Sequence, residues 1–224
     1  EEKAFETVRP FQPLGSQQLP DIDEKVHLPT QAFTEEREYH PVQLFNTYLL
    51  IPTDKGFMLI HQQSAHERII YERLQAAMQG KPIATQRSLF PVTIELASTD
   101  AVLLSELLPD LQQMGYTIEP FGKNAFVIQG TPADIESGNE KTVLEKVLEQ
   151  YKHFSPDLRI SKREMLLRSV AWQQAIKPGA ALSDREMKRL LADLFDCMQP
   201  NITPSGRPTY LEFKKDQLEK MFGR

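Results

Sequence analysis

Cysteine is almost missing from this sequence, with Cys197 the single one in 224 residues. A lone thiol excludes an internal disulfide and a Cys-rich zinc site, and it fits a reducing cytosol. Long apolar runs are missing too. No stretch approaches the roughly 18 consecutive apolar residues of a membrane span, and no secretory signal is visible. A soluble, cytoplasmic protein without a membrane partner is therefore expected. There is no Gly-rich phosphate loop, no His-Glu-x-x-His and no Gly-x-Ser-x-Gly, so the nucleotide, zinc-protease and serine-hydrolase sites those motifs mark have no counterpart here. There is no internal repeat, and a start at Glu1-Glu2 in place of Met fits a piece of a larger protein.

What is present suffices for a sizeable core, since 40% of the residues are hydrophobic. Charge is uneven along the chain. Nine of the 31 acidic and four of the 26 basic residues lie in 1–40, so the remainder carries 22 of each. A neutral globular part has no strong whole-molecule attraction for nucleic acid, and any DNA contact needs a local patch. Lys162, Arg163 and Arg168, with Arg185, Lys188 and Arg189, are candidates for one; interspersed Glu164, Asp184 and Glu186 make an ordinary solvated face the plainer reading.

Residues 1–40 hold Pro10, Pro13, Pro20 and Pro29 among Gln, Ser and acidic residues without a sustained period, which reads as a linker arm. Val8–Leu14 is the one stretch in it that offers a docking peptide. Val42–Pro52 and Phe57–His61 read as a hairpin across Thr53–Gly56. Ser64-x-x-Glu67 predicts a capping box opening a helix at about 65–79, with Ile70, Leu74 and Met78 as its buried stripe and Arg68, Glu72 and Arg73 on other faces. A strand is expected at 91–96. Ser98–Asp100 then caps a helix to Gly115 that Pro109 kinks or divides.

Tyr116–Phe121 and Ala125–Gln129 predict a second hairpin, 131–139 a loop, and 140–154 an amphipathic helix burying Val143, Leu144, Val147, Leu148 and Tyr151. Capping boxes at Ser161 and Ser183 open helices over 162–177 and 184–198, split by Pro178-Gly179. A strand at 209–213 and a helix at 215–222 follow a proline-rich loop. The whole is an α+β chain in which an insert at 88–158 separates two ends, 41–87 and 159–224, that pack together.

His61, Gln62, Gln63, His66, Glu67 and Glu72 gather where a strand meets a helix start. The order Gln62, Ala65-His66-Glu67-Arg68 and Tyr71-Glu72 resembles the Asp-Gln-His-Ala-x-x-Glu-x-x-x-x-Glu motif of the MutL C-terminal domain family of mismatch repair. Ala175-Ile176-Lys177 is similar to the end of that family's Ala-Cys-Arg-x-Ala-Ile-Lys segment, and Gly206-Arg207-Pro208-Thr209 to the end of its Cys-Pro-His-Gly-Arg-Pro-Thr segment. Phe222-Gly-Arg224 fits its Phe-x-Arg, and Gly115–Gly122 with Phe126 resembles its internal subdomain. These pieces run in the family's order from about residue 41 to the end.

In nicking members these motifs supply metal ligands. Here His61 replaces Asp, Gln63 His, Ser64 Ala, Trp172 and Thr203 the two Cys, and Ser205 His. Amide, indole and hydroxyl are weak substitutes for imidazole and thiolate. No metal or other cofactor is therefore expected in this domain. Glu67 reads as a helix cap, Glu72 as an exposed helical charge, His66 as a surface or capping residue, and Trp172 as a core or interface residue. The alternative is a nicking endonuclease with a rearranged ligand set of His61, His66, Glu67 and Glu72.

Gln86-Arg-Ser-Leu89-Phe90-Pro91 has the form Gln-x-x-Leu-Phe of the peptides that bind the replication sliding clamp: Leu and Phe fill an apolar pocket while Gln bonds at its rim. Its structural alternative is a strand start that buries Leu89 and Phe90. The resemblance implies a two-subdomain fold. Its dimerisation part, 41–87 with 159–224, would form a homodimer that tethers N-terminal ATPase domains. The insert, 88–158, would be regulatory and dock on the sliding clamp. The mismatch-recognition protein MutS and DNA are implied as partners of the full-length protein, with no nicking by this domain.

Overall fold

The computed structural model describes residues 40–81, 83–133, 139–154 and 160–223; the arm expected at 1–40, with its Val8–Leu14 peptide, lies outside them except for His40, and so does Arg224. The architecture is α+β, in two antiparallel sheets flanked by helices.

Alternation of apolar residues builds the first sheet. β1 (Val42–Leu44), β2 (Tyr48–Thr53) and β3 (Gly56–His61) form a meander, and β7 (Tyr210–Lys214), from the far end of the chain, adds to β3, giving the order β1-β2-β3-β7. The expected single strand over 42–52 is broken in two because Phe45 and Asn46 turn the chain with φ of 54° and 48°. Leu49, Ile51, Met58 and Ile60 point to one side and are buried. Gly56 lets β7 approach: a Cβ there would collide with the Phe213 carbonyl oxygen.

α1 (Gln62–Met78) starts three residues before its expected place. Its N-cap is His61, so the Ser64/Glu67 capping box does not form; Ser64 instead donates its backbone N–H to the His61 ring. The stripe of Ile70, Leu74 and Met78 faces inward as its spacing predicts. Arg68, expected on another face, is buried and donates to the Ile202 carbonyl.

The second sheet has the order β4-β6-β5, from β4 (Thr85–Glu95), β5 (Thr117–Pro120) and β6 (Ala125–Pro132). β4 begins six residues earlier than expected and takes in the whole Gln86–Pro91 segment. α2 (Ser98–Gln113) runs through Pro109 undivided, and its N-cap is Ala97 with no side-chain bond, so Ser98–Asp100 lie inside its first turn. α3 (Glu140–Phe154) has the expected bounds and buries Leu144, Val147, Leu148 and Tyr151.

α4 (Lys162–Gln174) and α5 (Asp184–Phe195) are each three residues shorter than expected. Ser183 and Glu186 make a complete capping box. At Ser161 only the serine half forms, because the Glu164 carboxylate is taken by Tyr71 and Arg168. α6 (Lys215–Met221) closes the described chain.

Two apolar clusters form the core, and α1 contributes to both. Ala65 and Ile69 pack with β2, β3 and α5, while Ile70, Tyr71 and Leu74 pack with α2, α3, α4 and the second sheet. Each fully buried aliphatic side chain contributes about 1.5–3 kcal/mol, so α1 is the element whose loss would affect both clusters at once. No helix among the described residues is long and apolar enough to cross a membrane.

Candidate functional site

α1 carries most of the motif residues, and His66, Glu67 and Glu72 are each engaged by a different distant segment. His61 ends β3; its Nδ1 lies 2.8 Å from Ser64 Oγ and accepts from the Ser64 N–H at 3.3 Å. Its ring packs against Tyr48 at 5.4 Å. Burial and the Arg207 charge lower the His61 pKa, favouring the neutral ring that can accept that bond. Gln62 is fully buried and ties three segments together, donating to the Asn46 and Ala180 carbonyls and accepting from Gln43. Gln63 is buried as well.

His66 is neither a free surface residue nor a cap of its own helix: its Nδ1 accepts from the Ile176 N–H at 3.0 Å, fixing the chain after α4. Glu72, expected as an exposed charge, caps a different turn. Its two carboxylate oxygens accept from the Met198 and Gln199 N–H groups at 2.7 and 3.1 Å, and Arg68 lies 3.5 Å away.

Glu67 is the largest departure from expectation. It is not a cap; only 2% exposed, it receives the Arg207 guanidinium at 3.2 Å. Burial raises its pKa, and Arg207, Arg68 and Arg168 oppose that shift. The same guanidinium stands 5.0 Å over the ring of Trp172, which is half-buried and so only partly a core residue. The Arg207 backbone N–H donates to Thr203 Oγ1, and that hydroxyl lies 3.2 Å from Ser205 Oγ.

Of the four positions that the resemblance assigns to the metal centre, Glu67 and Trp172 thus meet the Arg207 guanidinium, while Thr203 holds the Arg207 backbone and Ser205 meets the Thr203 hydroxyl. His61, His66, Glu67 and Glu72 do not converge: each is engaged by a different segment. Among the described residues there is no group of three or more His, Cys, Asp or Glu side chains that could hold a metal ion. A hard or borderline cation needs several such donors at about 2.0–2.3 Å, and Glu67 already holds a cation of the chain's own, so the residues here do not fit a metal. Sequence reading named Arg207 only as part of a motif. No local signal marked it, since Glu67 read as a cap and its burial is decided by packing.

Gln86, Leu89, Phe90 and Pro91 lie on β4, the edge strand that follows α1. Arg87 pairs with Gly130 and Val92 with Ile128, so Ser88–Pro91 stand out against Gln129 alone. Pro91 has no N–H to give the ladder, and Ser88 Oγ bonds both the carbonyl and the N–H of Phe90, which holds the bulge. The buried-strand alternative is overturned: Leu89 is 91% and Phe90 83% exposed, and Gln86 and Pro91 are exposed as well.

Comparison with known proteins agrees with the sequence resemblance. Residues 42–182 match the MutL C terminal dimerisation domain. Among relatives named DNA mismatch repair protein MutL, that of Chlorobium chlorochromatii (strain CaD3) is 34% identical over 216 residues, 94% of this chain and 34% of the relative. That of Chlorobium phaeobacteroides (strain BS1) is 35% identical over 85% of this chain and 30% of the relative. That of Chloroherpeton thalassium is 35% identical over 81% and 28%. The chain spans about a third of the length of these relatives. It belongs to the family of MutL C-terminal dimerisation domains.

Proposed function

We propose that this domain serves DNA mismatch repair as the homodimerisation and docking part of a MutL protein, without nicking DNA itself. Two copies joined here hold a pair of N-terminal ATP-binding domains at high effective concentration, so assembly is the function and no chemistry is needed in this part. On this reading 41–87 with 159–224 is the dimerisation subdomain and 88–158 the regulatory one. Gln86, Leu89, Phe90 and Pro91 engage the sliding clamp, and MutS and DNA are reached through the full-length protein, in the cytoplasm at the nucleoid.

The observation that carries the docking reading is the exposure of Leu89 and Phe90 in the β4 bulge. Two adjacent large apolar side chains presented together by a hydrogen-bonded bulge suit an apolar pocket on a partner. The non-nicking reading is supported by the ion pair of Glu67 with Arg207 and by Trp172, Thr203 and Ser205 in place of ligands. For the dimer, support comes from the outer face of the first sheet, where Val42, Tyr48 and Leu211 are exposed and Leu50, Leu59 and Phe213 half-buried. No polar stripe separates them.

Leu89→Ala with Phe90→Ala tests the docking reading. The expected result is a loss of sliding-clamp binding with unfolding free energy changed by less than about 0.5 kcal/mol, as for exposed side chains generally. Retained clamp affinity would remove these residues from the interface. Incubation of the wild-type dimer with supercoiled circular DNA, Mn²⁺ and Zn²⁺ is expected to leave the circles intact; nicking that disappears in Glu67→Ala would replace this reading with the endonuclease one.

A further inference from the structure

The excess chain in β4 has to leave the sheet. Arg87 lies opposite Gly130 and Val92 opposite Ile128, so five residue steps of β4 face two of β6. Two steps of a strand span about 7 Å and five, fully extended, about 17 Å, so Ser88–Pro91 cannot lie flat along the ladder. The start of the excursion is fixed from both sides. Gly130 also pairs with Thr117 of β5, and it lies so close to β4 that a Cβ on it would stand 3.0 Å from the Gln86 carbonyl oxygen and 2.8 Å from the Thr85 methyl.

Within the excursion, side-chain packing holds nothing. Leu89 and Phe90 stand in water, and Ser88 is the one half-buried residue of 86–91. Its hydroxyl donates to the Phe90 carbonyl at 2.8 Å and accepts from the Phe90 N–H at 3.3 Å. One side chain thus engages both backbone polar groups of a residue that the ladder skips. Pro91 adds a second restraint, because the residue before a proline is confined to extended conformations. Leu89 is left between two fixed neighbours.

We infer that Ser88 is a positioning residue for docking: its hydroxyl holds Leu89 and Phe90 in the shape that the apolar pocket of the sliding clamp receives, and does so without touching the clamp. The inference rests on the docking reading above and deepens it. A segment already shaped loses less conformational freedom on binding, so the domain offers a formed surface where a loose peptide would have to be ordered. A free peptide of the same sequence lacks the paired ends at Arg87 and Val92, and the same hydroxyl has no fixed frame to complete.

The test compares Ser88→Ala in two settings, the full chain and a synthetic peptide of residues 84–93. Each is used to displace a fluorescein-labelled clamp-binding peptide from purified sliding clamp, which gives a Kd for every species. In the full chain Ser88→Ala should weaken binding about fivefold, the usual worth of a local hydrogen bond, and in the peptide by less than about twofold. Ser88→Thr, which keeps the hydroxyl, should restore most of the affinity of the full chain. The urea midpoint of Ser88→Ala should match the wild type, while the Phe90 amide exchanges faster with solvent because its acceptor is gone.

Equal losses in chain and peptide would overturn the inference, since they would mean that the hydroxyl meets the clamp directly. So would unchanged affinity of the Ser88→Ala chain, or a loss that Ser88→Thr does not repair. Leu89→Ala with Phe90→Ala on the same clamp separates the two readings. A chain that loses the clamp in that variant but not in Ser88→Ala defeats this inference alone. A wild-type chain that does not displace the labelled peptide at all defeats the docking reading, and this one with it.

Discussion

His61 shows how one side chain can serve both the fold and its pH dependence. Its neutral ring accepts the Ser64 N–H and so caps α1. Protonation removes the acceptor and sets a cation at the positive end of the helix dipole. Because its folded-state pKa lies below the ordinary value of 6.5, the stability it contributes is present above pH 6.5 and is lost as pH falls through the lowered value. His61→Asn keeps a good cap without the titration. The fall in urea-unfolding free energy between pH 7.5 and pH 5 should then be smaller in the variant by about 1 kcal/mol, the usual worth of a cap. Identical pH profiles would show that the cap does not titrate.

At the same scale, Arg207 explains how Glu67 is kept as an acid in the core. A buried carboxylate needs a partner, and the guanidinium that stands over Trp172 supplies it, on a backbone that Thr203 fixes through the Arg207 N–H.

Among the elements, β7 depends most on one backbone position. Gly56 opens β3 at φ +157°, and any side chain there meets the Phe213 carbonyl of β7. Opposite it, Phe57 and Phe213 stack at 4.8 Å across the same strand pair. Gly56→Ala should therefore cost about 2 kcal/mol or more, read as a lowered urea midpoint, with the loss concentrated in the amides of β7 by hydrogen exchange. The β4 bulge is the opposite case: its Leu89 and Phe90 side chains stand in water, so burial within the chain does not constrain them.

For the molecule as a whole, the ends of the described chain meet in one sheet while the second sheet lies wholly between them in sequence. The outer face of the first sheet is apolar, and covering it is the work proposed for a second copy. Leu59→Glu with Leu211→Glu puts charge on that face without touching either buried cluster. Analytical ultracentrifugation should then find a monomer whose circular dichroism matches the wild type; a dimer of undiminished affinity would move the interface elsewhere.

Periodicity alone located most of the elements, because the apolar stripe of α3 and the alternation in β2 and β3 are local consequences of which residues can be buried. The order of motif pieces was enough to identify the family. Residue partnerships were another matter. Ser64 and Glu67 spell a capping box, yet the helix begins at Gln62, since His61 offers a cap three residues earlier and Arg207, 140 residues away in sequence, claims the carboxylate. Leu89 and Phe90 read equally well as buried or exposed until the pairing of β4 with β6 showed where the ladder breaks. Local spacing decides which face of an element is apolar; only the folded chain decides which polar group from a distant segment reaches the buried charge, and which apolar side chains are left facing water.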